Sequence, residues 1–184
     1  MQRLCAALLS VLFVFAGASV ASAEALAEDQ VTRFIATLDA ANAFGDELDA
    51  AGKTDALEIA MTPQAGEEFK PYSKAVAAMK TRYPADYAHL GALVSPHGYS
   101  ADDWAATGDR VILAYFAVKM ERENPGAAEQ MAAMDPSMLA MLPPAQKAEF
   151  EAMRALIATV QAVPEEDRAV VEPHMDALDA AMDA

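Results

Sequence analysis

Apolar residues recur along this chain at steps of three and four. Val31, Phe34, Ile35, Leu38, Ala41 and Leu48 lie on one stripe, which is the spacing of one face of an α-helix. The pattern predicts a helix over about 27 to 50, stopped by Gly52. Thr62-Pro63 offers a hydroxyl cap followed by a proline at the first helical position, so a second helix should start there. Its stripe would be Phe69, Tyr72, Val76, Met79 and Tyr83, with Pro71 kinking or splitting it. Pro84 opens a shorter helix carrying Tyr87, Leu90 and Val94.

Ser95 to Tyr99 is a turn broken by Pro96 and Gly98. Ser100 then caps a helix, with Asp103 near its positive end. Every residue from Val111 to Val118 is apolar. A helix apolar on all sides must be surrounded by neighbours, so this one should be the central element. Gly108 inside it costs ~1 kcal/mol relative to alanine and implies close approach by another helix.

After Asn124-Pro125-Gly126, short helices are expected at about 126 to 134 and 136 to 142. An antiparallel pair at about 144 to 162 and 165 to 182 would follow, with Pro144 and Pro164 at the starts and Pro173 bending the second. Phe150, Met153, Ile157 and Val160 would face Val171, Leu178 and Met182. No segment alternates apolar and polar residues over the length of a strand. The predicted fold is therefore all-α: a single-domain bundle of about six to seven helices over residues 24 to 184, several short and proline-bent.

Residues 1 to 23 have a different pattern. Met1-Gln2-Arg3 supplies a short positive start, Leu8 to Phe15 is apolar apart from Ser10, and Ala21-Ser22-Ala23 is small-x-small. This is the pattern of a secretory signal peptide cleaved after Ala23. The apolar run is short for a membrane span of ~20 residues, so no stable anchor is expected once it is removed. Cys5 precedes the apolar run, where a lipid-bearing cysteine would not lie. It is also the only cysteine. The portion after the signal can then have no disulfide, no thiol nucleophile and no cysteine ligand. The expected location is periplasmic or secreted.

Composition narrows the function further. The formal charge is −15 and 54% of residues are hydrophobic. Nucleic-acid binding needs clustered Lys and Arg, which are lacking. The acidic groups are spread along the chain, as a solvated surface requires.

The segment from Met131 to Leu142 holds four methionines. Met131, Met134, Met138 and Met141 would share one face of a continuous helix, but Asp135-Pro136 should interrupt it. Thioethers are soft ligands suited to Cu(I), and His174, next to Met175, would be the histidine to add. Core packing is the favoured alternative, since Leu139 and Leu142 dilute the run and methionine fills apolar stripes elsewhere. His89 and His97 have no ligand partner nearby in sequence. No cofactor motif, GxSxG elbow or phosphate loop is present. Residues 46 to 58 fail the calcium-loop pattern. Asp102-Asp103 beside Trp104 could be imagined as a glycan-cleaving acid pair, but adjacent helical residues do not face one another. Capping explains these acids better, and Trp104 is expected to anchor the core.

Leu142-Pro143-Pro144-Ala145-Gln146 resembles the LTxxQ motif of small helical periplasmic stress chaperones. The likeness covers five residues, lacks the threonine and has no second copy, so no family is assigned. It implies a protein-binding role. The expected function is non-catalytic: binding of a partner protein or of a small apolar ligand between helices. Cu(I) handling is the first alternative, and a carboxylate-based cell-wall hydrolase is the second.

Overall fold

The computed structural model describes residues 25–55, 68–123, 125–126 and 143–182. These residues form seven α-helical segments and two short 3-10 turns, with no strand among them. The all-helical architecture agrees with the hydrophobic pattern.

Helix α1 spans Glu28–Ala50. Ala27 has no capping side chain, and Gln30 compensates by accepting a bond from the Ala27 N–H at 2.9 Å. Glu28 and Asp29 occupy the first turn, where negative charge opposes the helix dipole. Val31, Phe34, Leu38 and Leu48 are buried, and Gly52 follows the helix with φ +65°. The glycine is suited to that left-handed turn.

Helix α2 spans Pro71–Arg82 and α3 spans Pro84–Val94. Pro71 therefore does not kink a longer helix here. It stands at the first position of α2, where its missing N–H has no intrahelical partner to lose. The Thr62-Pro63 start lies outside the described residues. A 3-10 turn, Ser95–His97, ends at Gly98 with φ +80°.

Helix α4, Ala101–Glu123, begins with a reciprocal cap. Ser100 Oγ donates to Asp103 Oδ2 at 2.6 Å, and the Asp103 N–H donates to Ser100 Oγ at 3.1 Å. Val111, Ile112, Ala114, Tyr115, Ala117 and Val118 are all buried. Helix α4 touches α1, α2 and α3 together with two later helices, which makes it the central element. Gly108 lies against Phe34 and Tyr72, supplying the expected close approach.

Helix α5 is Pro144–Gln161 and α6 is Glu165–Val171. A 3-10 turn, Glu172–His174, holds Pro173 and leads into α7, Met175–Met182. The expected pairing of α5 with the last helix is not the main contact. Helix α5 lies on α4, whereas α6 reaches α4 and α1, and α7 reaches α1. The cause is polar as well as apolar. Asp167 and Val171 of α6 are buried, and Asp167 is bonded by Arg110 of α4. Met153 and Met182, expected to face each other in the core, are about half exposed.

Candidate functional site

Asp109 and Arg110 are consecutive on α4. Adjacent helical residues diverge by ~100°, so the two side chains serve different neighbours. Asp109 faces the start of α2. Its Oδ1 accepts the Tyr72 N–H at 2.7 Å, and its Oδ2 accepts the Ser73 N–H at 3.2 Å. It thus caps α2 from another helix, doing what Lys70 at the N-cap cannot. Asp109 is 4% exposed. Burial pushes its carboxyl above the usual range, and the bonds from Ser73 and Tyr72 only partly offset this. Burial, reinforced by Asp109, also raises the Tyr72 phenol.

Arg110 faces the start of α6. Its Nη2 lies 2.9 Å from each oxygen of Asp167, and its Nε lies 3.2 Å from Oδ2. Asp167 is 3% exposed and also accepts the Leu26 N–H at 2.8 Å. A buried carboxylate requires such partners. This one group ties the chain entering α1, the middle of α4 and the beginning of α6.

A cleft of about 430 Å³ opens between these two tethers. Leu113 of α4, Thr159 of α5, and Ala162 and Val163 after α5 form much of its wall. Lys70 and Glu68 stand at its α2 side, 2.9 Å apart. Such a volume lies within the range of ~300–1,000 Å³ where small ligands bind. A second, more polar hollow of about 370 Å³ lies across α4, where Arg33 and Arg110 both reach the surface. Arg33 is already engaged there by Asp29 Oδ2 at 3.1 Å, the His97 carbonyl at 3.4 Å and the Tyr99 ring at 5.3 Å.

The residues singled out from the sequence do not converge. Met131, Met134, Met138 and Met141 lie outside the described residues. His174 is half-buried in the turn between α6 and α7, and its Nε2 is buried without a hydrogen-bond partner among the described residues. His89 is exposed with its ring 5.0 Å from Phe44, and His97 is half-buried. Among the described residues no group of three or more His, Cys, Asp or Glu is placed to hold a metal ion.

Asp103 is the cap expected of it, but Asp102 does something else. Its Oδ2 accepts bonds from Lys80 at 2.8 Å and from the Tyr87 hydroxyl at 3.0 Å, joining α4 to α2 and α3. The Lys80 bond, followed by that of Tyr87, holds the Asp102 carboxyl below its usual range. Trp104 is a core anchor. Its Nε1–H donates to Thr37 Oγ1 at 2.7 Å, and its ring lies 5.5 Å from Phe34 and 5.4 Å from Tyr72.

Sequence reasoning missed Asp109, Arg110 and Asp167. The available signal was a charged pair set in a helix otherwise apolar from Trp104 to Val118 apart from Thr107 and Gly108. Charges in such a setting require partners from elsewhere in the fold. No family model, curated protein or solved structure matches this chain.

Proposed function

We propose that the protein is an exported, non-catalytic binding protein that holds an apolar ligand between its helices. The cleft bounded by Leu113, Thr159 and Val163 would be the seat. The observation that carries this proposal is the pairing of an apolar-walled cleft with two buried carboxylates already committed to structure. Both Asp109 oxygens accept backbone N–H groups of α2, and both Asp167 oxygens accept Arg110. Neither is left as an unengaged acid or base, which disfavours the cell-wall hydrolase.

Export is supported by the leader pattern. Met1-Gln2-Arg3, the apolar run from Leu8 to Phe15 and Ala21-Ser22-Ala23 together make up that pattern. No helix among the described residues is long and apolar enough to cross a membrane.

Native mass spectrometry of protein recovered from a periplasmic extract tests both parts. The expected result is a chain beginning at Glu24 with an added small-molecule mass. That mass should disappear in Leu113→Trp, which fills the cleft. A ligand-free wild-type chain that also ignores apolar probes would refute the binding proposal. Retention of residues 1 to 23 would refute export by cleavage.

A further inference from the structure

Among the described residues, the large apolar side chains that stand in solvent are Met153 of α5, 50% exposed, and Met182 of α7, 47% exposed. No described leucine, isoleucine, valine or aromatic residue reaches that exposure. Both exceptions are thus thioethers. The other methionines among these residues are covered. Met79 and Met175 are each 4% exposed, and Met120 packs partly buried against the core. One chemical group therefore occurs in two opposite settings on the same chain.

The setting decides what oxidation does to it. A thioether sulfur attacks the O–O bond of a hydroperoxide with its lone pair. An S–O bond forms, the O–O bond breaks, and the departing oxygen takes the proton of the transferred one. With hydrogen peroxide the products are a sulfoxide and water; sulfur loses two electrons and the peroxide gains them. The sulfoxide is polar, so in a core it disrupts packing, whereas on the surface it faces water. Methionine sulfoxide reductases reverse the step. Cys5 is the only cysteine, so no thiol beyond that position competes for the oxidant.

We propose that Met153 and Met182 are reversible oxidation sites, at which the protein consumes peroxides on its surface while the core around Met79 and Met175 stays intact. This does not depend on the ligand proposed for the cleft. An exposed leucine at either position would give the same apolar surface without the chemistry.

Timed exposure to hydrogen peroxide, followed by peptide mass spectrometry, gives a rate for each methionine. Met153 and Met182 should gain oxygen roughly tenfold faster than Met79 and Met175, in line with their exposures. In urea-unfolded protein the four rates should converge, which assigns the difference to the fold. Trp104 emission and the urea midpoint should be unchanged once the two surface sites are oxidised. Sulfoxide reductase with dithiothreitol should then remove both oxygens from the folded protein. Met153→Leu with Met182→Leu should lose these two fast sites and keep the slow rates at Met79 and Met175. Rates at Met153 and Met182 no faster than those at Met79 and Met175 would overturn the assignment. So would unfolding that accompanies surface oxidation, or sulfoxides that the reductase leaves in place. Should the double variant fail to fold, the rates and the repair on the wild-type protein decide.

Discussion

Replacing Gly108 by alanine sets two measurable effects against each other. In an open helix the change stabilises by ~1 kcal/mol, because glycine loses more backbone freedom on folding. At Gly108 the new Cβ would stand 2.9 Å from Phe34 Cε2, 3.0 Å from Tyr72 Cγ and 3.1 Å from Phe34 Cζ. These are positions on rings, not the ends of flexible chains. Phe34 is held by Trp104 at 5.5 Å and Tyr72 at 5.9 Å, so it cannot rotate aside alone. Forcing a methyl into such packing costs ~1–3 kcal/mol. The net effect should be a loss of ~1 kcal/mol.

Gly45 and Gly91 are internal controls. Both are helical, and a Cβ on either meets nothing within 4 Å among the described residues. Gly45→Ala and Gly91→Ala should each stabilise by ~0.5–1 kcal/mol. The separation from Gly108→Ala is then ~2 kcal/mol, about one molar in urea midpoint for an ordinary slope of ~1–3 kcal/mol per molar. Urea unfolding followed by far-ultraviolet dichroism gives the three midpoints. A rise for Gly108→Ala that matches the controls would refute close approach as the reason for this glycine.

Thr37→Val removes the acceptor of the buried Trp104 N–H and should cost ~1–3 kcal/mol, measured by urea denaturation alongside Trp104 emission. Arg110→Met leaves Asp167 buried without its fork. Its melting temperature should fall by the equivalent of ~3–5 kcal/mol, and adding Asp167→Leu should recover part of that in a double-mutant cycle. Asp102 and Asp109 should give opposite pH dependences in stability profiles between pH 3 and 6. Asp102 is lowered from 3.8, so its contribution is present above that value and is lost as pH falls through the folded value; the deficit of Asp102→Asn should shrink in acid. Asp109 is raised from 3.8, so ionising it becomes a burden as pH rises through the folded value; the deficit of Asp109→Asn should shrink toward neutrality.

Elements governed by local periodicity and caps were legible in the sequence. The apolar run from Val111 to Val118 marked α4 as central because a helix with no polar face has no other place. Ser100 and Asp103 announced its start, and Gly108 announced a neighbour at close range. The tethers were not legible. Asp109 meets α2 36 and 37 positions away, and Arg110 meets Asp167 57 positions away. No local pattern encodes which of 28 acidic residues will be drawn inside. The role of Asp102 was missed for a related reason. Its neighbours Ser100 and Asp103 already complete the cap, which leaves Asp102 to reach Lys80 and Tyr87. The placement of α5 was missed because its stripe matched the last helix equally well on paper.

The bond from the Leu26 N–H to Asp167 spans 141 positions, and Asn42 Nδ2 donates to the Ala181 carbonyl across 139. The opening helix is thus closed by the final ones. During synthesis α3 and α4 can cover Phe34 and Phe44 of α1, but the part of α1 that meets α6 and α7 stays uncovered until almost the whole polypeptide has emerged. Loss of the last helical turns should leave that part of the first helix without its lid.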